Sequence, residues 1–145
     1  MLVSYPALFY YDTEGSEVVP FFITFPDFTN SATQGESISD AIAMASDWLG
    51  MNVADYIENK RKLPTPSNLK SLSLEENNPY PDELKYDKDL SFKSMVMADL
   101  SSYMDQDQLV KKTLTIPKWA NKLGKELKLN FSKTLTNAIL EEKIK

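Results

Sequence analysis

The chain has 145 residues, 42% of them apolar, a formal charge of −5, and neither cysteine nor histidine. Such a length accommodates one ordinary domain, or a small domain with an appendage. The missing residue types exclude Ser-His and Cys-His pairs, imidazole acid–base chemistry, disulfides and His/Cys zinc sites, so an enzyme would have only carboxylates with a hard metal, or Lys and Tyr.

Leu2 to Tyr11 is rich in strand formers, Asp12-Thr13-Glu14-Gly15-Ser16 is turn chemistry, and Val18 to Phe25 resumes the strand composition. The spacing predicts a hairpin. Phe25-Pro26-Asp27-Phe28 breaks its second arm, and a short third strand is expected over residues 32–35. Ser37 followed by Asp40 is an N-terminal capping arrangement. From Ile38 the apolar positions Ala41, Ile42, Ala45, Trp48, Leu49, Val53, Tyr56 and Ile57 trace one face of a long helix. It is expected to end near Lys60-Arg61-Lys62, where positive charge suits a helix C-terminus, because Leu63-Pro64-Thr65-Pro66-Ser67 cannot continue it. Asn68 to Asp89 reads as a polar surface excursion with a helical turn at 71–75. Phe92 to Leu100 reads as an inner strand covered on both sides. The body is therefore an α+β layer, an antiparallel sheet with one long helix on a face. The N-terminus lacks a basic n-region and no window reaches 18 apolar residues. Neither a signal peptide nor a membrane span is expected, and the protein reads as cytoplasmic.

Residues 101–108 read as a polar linker, and the last thirty-six residues, 110–145, change character. Leu114 and Ile116 alternate with Lys111, Thr113 and Thr115, the pattern of a strand with one face buried. Pro117 ends it and suits the first turn of a helix. Trp119, Ala120, Leu123 and Leu127 fall on one side of that helix. Asn130 is positioned to cap another, whose apolar side is Leu135, Ala138 and Ile139. Strand, helix and helix in so few residues cannot bury a core alone, and with no Cys or His to staple them a partner chain is implied. A second copy is the simplest one, its strand pairing with this one as an antiparallel ribbon. Charge agrees: residues 109–145 hold nine Lys and three Glu, a net of +6, while residues 1–108 carry seven Lys and Arg against eighteen Asp and Glu, a net of −11. A basic tail on an acidic body points to an anionic polymer as partner.

This tail resembles a ribbon-helix-helix DNA-binding module. The resemblance places Lys111, Thr113 and Thr115 at outward ribbon positions that touch base edges. Asn130, Phe131 and Ser132 fall at the start of the last helix, where backbone N–H groups hold a phosphate. Leu114, Ile116, Trp119, Leu123, Leu135 and Ile139 would form the dimer core. Two departures are Lys128-Leu129-Asn130 in place of a glycine turn, for which Asn130 would supply the left-handed residue, and threonines where the ribbon often carries Arg, Asn or Gln.

The body in turn resembles a HicB-type antitoxin. The features are Phe25-Pro26-Asp27-Phe28, Thr33-Gln34-Gly35, Ser39-Asp40-Ala41 and the Leu63-Pro64-Thr65-Pro66-Ser67 exit, in that order on a hairpin-then-helix frame. Departures are Asn30-Ser31 where the family often has Gly-Cys, and the polar stretch from Asn77 to Asp89. The resemblance implies a partial RNase H-like toxin-binding domain over 1–100, a linker over 101–109, and a ribbon-helix-helix DNA-binding and dimerisation domain over 110–145. It implies a non-enzymatic protein that occludes a HicA-type mRNA-cutting toxin and represses its own operon at operator double-stranded DNA. The homodimer would form through 110–145, with higher-order assembly with toxin left open. No cofactor and no metal are expected. Tyr10, Asp27, Asp40 and Asp47 are candidate toxin contacts. Two other readings stay open: a stand-alone dimeric regulator, and a nuclease using Asp12, Asp27, Asp40 and Asp47 with a metal, although a turn, a cap and a solvated helix position explain those acids as well.

Overall fold

The computed structural model describes residues 1–104 and 109–144. The chain divides into two compact units, Leu2–Tyr103 and Met104–Lys145. The first holds strands β1 (Leu2–Tyr11), β2 (Phe21–Thr24) and β3 (Thr33–Gly35), helix α1 (Ile38–Glu58) and strand β4 (Phe92–Asp99). All neighbours are antiparallel, in the order β3-β2-β1-β4. The hairpin, third strand and long helix stand where the residue pattern puts them.

β1 alternates between two covered faces. Tyr5 packs edge-on to Phe28 at 4.7 Å, and Phe28 meets Trp48 and Tyr56 of α1, so the odd residues of β1 face the helix. Ala41, Ala45, Leu49 and Val53 recur every fourth position and are all fully buried, a stripe whose alanines let helix and sheet approach closely. Trp48 stacks on Phe25 at 4.9 Å and belongs to the core margin. Pro6 is tolerated in a central strand because β2 pairs with β1 only from Leu8 onward, so no ladder donor is lost there.

The even residues Leu8 and Tyr10 face the other way, and here the sequence expectation needs correcting. Residues 68–89 are more than a surface excursion, because Leu72 and Leu84 are buried against Leu8 and Tyr10, with Phe22, Leu74 and Tyr86 around them. The helical turn expected at 71–75 is a short 3-10 turn at Leu69–Ser71, capped by Asn68, whose side chain accepts from the Lys70 N–H at 3.0 Å. A few apolar residues spaced among many polar ones suffice to cover half a sheet face.

β4 also departs from expectation. It is an edge strand, and Met95 and Met97 on the face away from α1 are exposed. The covered inner strand is β1 instead. The linker expected from residue 101 starts later, since Leu100–Ser102 forms a 3-10 turn capped by Asp99 and Tyr103 packs on α1. The expected linker residues 105–108 lie outside the described residues.

At its start α1 is capped by Ser37, whose hydroxyl accepts from the Asp40 N–H at 3.1 Å, while the Asp40 carboxylate accepts from the Glu36 N–H at 2.8 Å. At its end no basic residue lies in the last turn. The stop is made by Lys60 at φ 56, with Lys60 N–H to Ile57 O and Arg61 N–H to Tyr56 O closing the helix. Arg61 then lies over the Tyr56 ring at 4.0 Å and pairs with Asp55.

The second unit holds α2 (Lys118–Glu126) and α3 (Phe131–Ile144). Residues 111–117 form no strand in the single chain. Among the described residues no helix is long and apolar enough to cross a membrane.

Candidate functional site

The C-terminal unit is unusual in what it leaves uncovered. Leu114, Ile116, Trp119, Leu123, Leu135 and Ile139 are all exposed, Trp119 at 70%. Only Gly124 and Leu140 among its described residues are buried. A groove of 510 Å³ runs between the 112–116 segment and α3, with Leu114, Ile116, Phe131, Leu135 and Ala138 on its walls. Apolar side chains of this number, left in water, forgo roughly 1.5–3 kcal/mol each that burial would recover.

The turn between the helices is built locally. Pro117 precedes α2, where its missing N–H costs nothing. Lys128, at φ 53, takes the left-handed position that Asn130 was expected to supply. Its N–H donates to Lys125 O at 3.0 Å, and the Leu129 N–H donates to Gly124 O at 2.9 Å, ending α2. Asn130 is thereby free to cap α3, its side-chain oxygen accepting from the Lys133 N–H at 3.0 Å. Phe131 lies over Gly124 so closely that a methyl there would sit 2.5 Å from the ring. The Phe131 side chain is therefore a clasp between helices, and what it can offer a ligand is its backbone N–H. Lys111, Thr113, Thr115 and Ser132 are exposed.

In the body the four candidate contact residues are scattered. Tyr10 is fully buried under the 68–89 segment, its hydroxyl donating to Leu74 O at 2.7 Å, so it has no surface to give a partner. Burial, followed by the neighbouring Tyr86, raises its pKa. Asp27 is held inside the loop system, accepting from the Ser67 N–H at 2.9 Å and from the Ser67 hydroxyl, which ties the helix exit to the end of β2. Asp40 is a half-buried cap. Asp47 is exposed and accepts from the Tyr103 hydroxyl at 3.0 Å.

These acids do not converge. Asp12 accepts from the Glu14 N–H at 2.9 Å as a turn residue. Among the described residues no group of three or more His, Cys, Asp or Glu could hold a metal ion. Every buried side-chain nitrogen or oxygen in the described residues has a hydrogen-bond partner.

Sequence reading missed two things. Tyr103 lies against Gly50 so tightly that a methyl on Gly50 would sit 2.2 Å from its ring, and no local pattern links positions so far apart in the chain. Burial, then the hydrogen bond to Asp47, raises the Tyr103 pKa. The second is Asn30 at φ 56, next to the buried Ser31, whose hydroxyl accepts from the Phe25 N–H at 2.7 Å and donates to Phe25 O at 2.8 Å. The departure from a Gly-Cys pair could have pointed to that left-handed position.

With this geometry in hand, comparison with known proteins is informative. Residues 4–75 match the family described as HicB_like antitoxin of bacterial toxin-antitoxin system. A chain of a toxin–antitoxin complex from Streptococcus pneumoniae is 57% identical, over 99% of this chain and 100% of that one, with a TM-score of 0.70. Antitoxin HicB 2 of Photorhabdus laumondii subsp. laumondii is 38% identical over 63 residues, which is 43% of this chain and 42% of that protein. The chain thus spans less than half the length of that curated relative. The antitoxin HicB of Burkholderia pseudomallei shares the fold at a TM-score of 0.57 and 23% identity, over 97% of this chain and 98% of that one.

Proposed function

Because this chain belongs to the HicB-like antitoxin family, whose members are antitoxins and not enzymes, we propose that it neutralises a HicA-type mRNA-cutting toxin and represses its own operon. In this reading a partial RNase H-like body binds and occludes the toxin. Its net charge of −11 over residues 1–108 favours encounter with a partner whose surface is built to hold RNA. Asp27, Asp40 and Asp47 remain contact candidates, and Asp47 is the most accessible of them.

The C-terminal unit is proposed to dimerise as a ribbon-helix-helix module. The single observation that carries this is its uncovered apolar set on a basic segment. Leu114, Ile116, Trp119, Leu123, Leu135 and Ile139 want a partner surface, and a second copy supplies one of matching chemistry. Residues 111–117 of two chains would pair as an antiparallel ribbon in the major groove of operator DNA. Lys111, Thr113 and Thr115 face the bases, while the N–H groups around Asn130, Phe131 and Ser132 meet a phosphate. Two tails bring about +12 to the duplex, twice the +6 of one.

The test has two arms. Expression of the neighbouring open reading frame should arrest growth alone and be tolerated together with this chain; tolerance without this chain removes the antitoxin reading. In the second arm, replacing Lys111, Thr113 and Thr115 by Ala should weaken operator binding at least tenfold, at about 1–3 kcal/mol per base contact. Rescue of growth should be kept. Loss of both activities would make the tail a structural element instead.

A further inference from the structure

We infer that two copies of the body join edge to edge through β4, antiparallel about Val96, so that two four-stranded sheets become one continuous sheet. This goes beyond toxin and DNA binding and does not depend on either.

The backbone directions come first. The Tyr11 N–H donates to Ser91 Oγ at 2.8 Å, toward β4, and the Asp12 N–H donates to Pro20 O at 2.8 Å, on the β2 side. Odd residues of β1 therefore point to β4 and even ones away. The register sets Tyr5 against Val96 and Phe9 against Phe92, so the even residues of β4 make the ladder. Lys93, Met95, Met97 and Asp99 turn their N–H and C=O groups to the free edge. Among the described residues no acceptor is found for the Met95 and Met97 N–H groups. Their carbonyls take one hydroxyl each, from Ser94 at 3.0 Å and Ser46 at 2.5 Å, which leaves each a lone pair.

The strand is complementary to itself. A two-fold axis at Val96 sets Met95 opposite Met97 and Lys93 opposite Asp99. These are all odd, edge-facing residues, so the register that matches side chains also closes the backbone bonds. Sliding by one residue would set edge-facing groups against groups that face β1. Sliding by two would oppose Met95 to Asp99 and lose the ion pair. Lys93 donates to Leu69 O at 3.0 Å and Leu72 O at 2.8 Å, and its third donor would share the Asp99 carboxylate of the second copy, which already accepts from the Ser101 N–H at 3.1 Å, the Ser101 hydroxyl at 2.7 Å and the N-terminal ammonium.

Apolar surface flanks the edge on both sides. Leu2, Met95 and Met97 are exposed on the face away from α1, and two copies would bring four methionines together. On the helix side Ile42 is exposed one turn before Ser46, the residue that reaches the Met97 carbonyl. The register with β1 runs unbroken from Phe92 to Asp99, with no proline or bulge to blunt the edge. A foreign strand could use the same backbone groups, but only a second copy uses the Met-Met and Lys-Asp pairing together. Both bodies are acidic, so their repulsion falls as salt shortens the screening length to about 8 Å at physiological ionic strength. The pairing should strengthen with added salt, opposite to DNA binding.

The experiment compares the full chain with M95K/M97K by analytical ultracentrifugation, and follows amide hydrogen exchange in both. Both substitutions are at exposed positions, and circular dichroism together with slow exchange in α1 checks that the variant is folded. M97P, which removes an edge donor without adding charge, is a second variant. The wild type should have at least twice the mass of either variant, and its Met95 and Met97 amides should exchange slowly only in the wild type. A chain with L114K/I116K should keep the β4 association whatever happens to the tail. Equal masses, or fast exchange at Met95 and Met97 in the wild-type assembly, would overturn the inference. Protection that appears only after the neighbouring gene product is added would overturn it too, by assigning the edge to another protein.

Discussion

Among the described residues three occupy left-handed backbone with a side chain attached: Asn30, Lys60 and Lys128. For Asn this costs little, and for Lys about 1 kcal/mol or more. Lys128→Gly should therefore raise the stability of the C-terminal unit by about 1 kcal/mol, read as a shift in its thermal midpoint. Lys60→Gly should do the same for the body. Three tyrosines give a pH dependence. Tyr5 is raised by burial and then by Asp27, Tyr10 by burial and Tyr86, and Tyr103 by burial and Asp47. A folded-state pKa above the unfolded value contributes stability that is whole below pH about 10 and is lost as pH rises further. Thermal midpoints should thus fall through the alkaline range, and tyrosinate absorbance should show a late-titrating group that Tyr10→Phe removes. That substitution also forfeits the bond to Leu74 O, at about 1 kcal/mol. A midpoint unchanged by Tyr10→Phe would mean that residues 72–86 hold to the sheet without it.

At the scale of elements, what the sequence made legible were the features whose cause is local. The cap at Ser37, the buried stripe of α1 and the breaks at Phe25-Pro26 and Leu63-Pro64 each follow from neighbours in the chain. What stayed hidden depends on contacts across long separations. Nothing near Tyr10 says that Leu74 will lie over it, and nothing near Gly50 names Tyr103. β4 departs from its sequence pattern for a related reason: Met95-Val96-Met97-Ala98 is apolar in both registers, and only strand order decides which side is covered. Gly124 offers the sharpest element-level test. Gly124→Ala should drive Phe131 off its seat between α2 and α3, lowering the thermal midpoint of that unit and weakening DNA binding through the displaced start of α3. Gly50→Ala should free Tyr103 without changing secondary structure, and quicker amide exchange over 100–103 would report it.

At the scale of the whole molecule, charge and covered surface divide along the chain. The acidic body closes its own core on both sides of β1, whereas the basic tail lies open. Its folding should be tied to association, with a thermal midpoint that climbs with protein concentration while that of the body changes less. Operator binding should weaken steeply with salt, and Lys111→Ala should flatten that slope if Lys111 meets a phosphate, or relax base preference if it meets a base. The basic, alternating stretch 111–117 is open to sequence reasoning because charge and alternation are local. A surface for the proposed toxin is not, since surface acids that cap, tie loops or pair with Tyr103 look alike in one dimension.

The chain has two tryptophans, Trp48 against Phe25 in one unit and Trp119 bare in the other. Each half therefore reports in its own colour of fluorescence, one blue-shifted from the start and the other turning blue when a second tail covers it. Quenching by iodide would separate the two without any label, and would time the proposed closing of the tails against the proposed capture of a toxin.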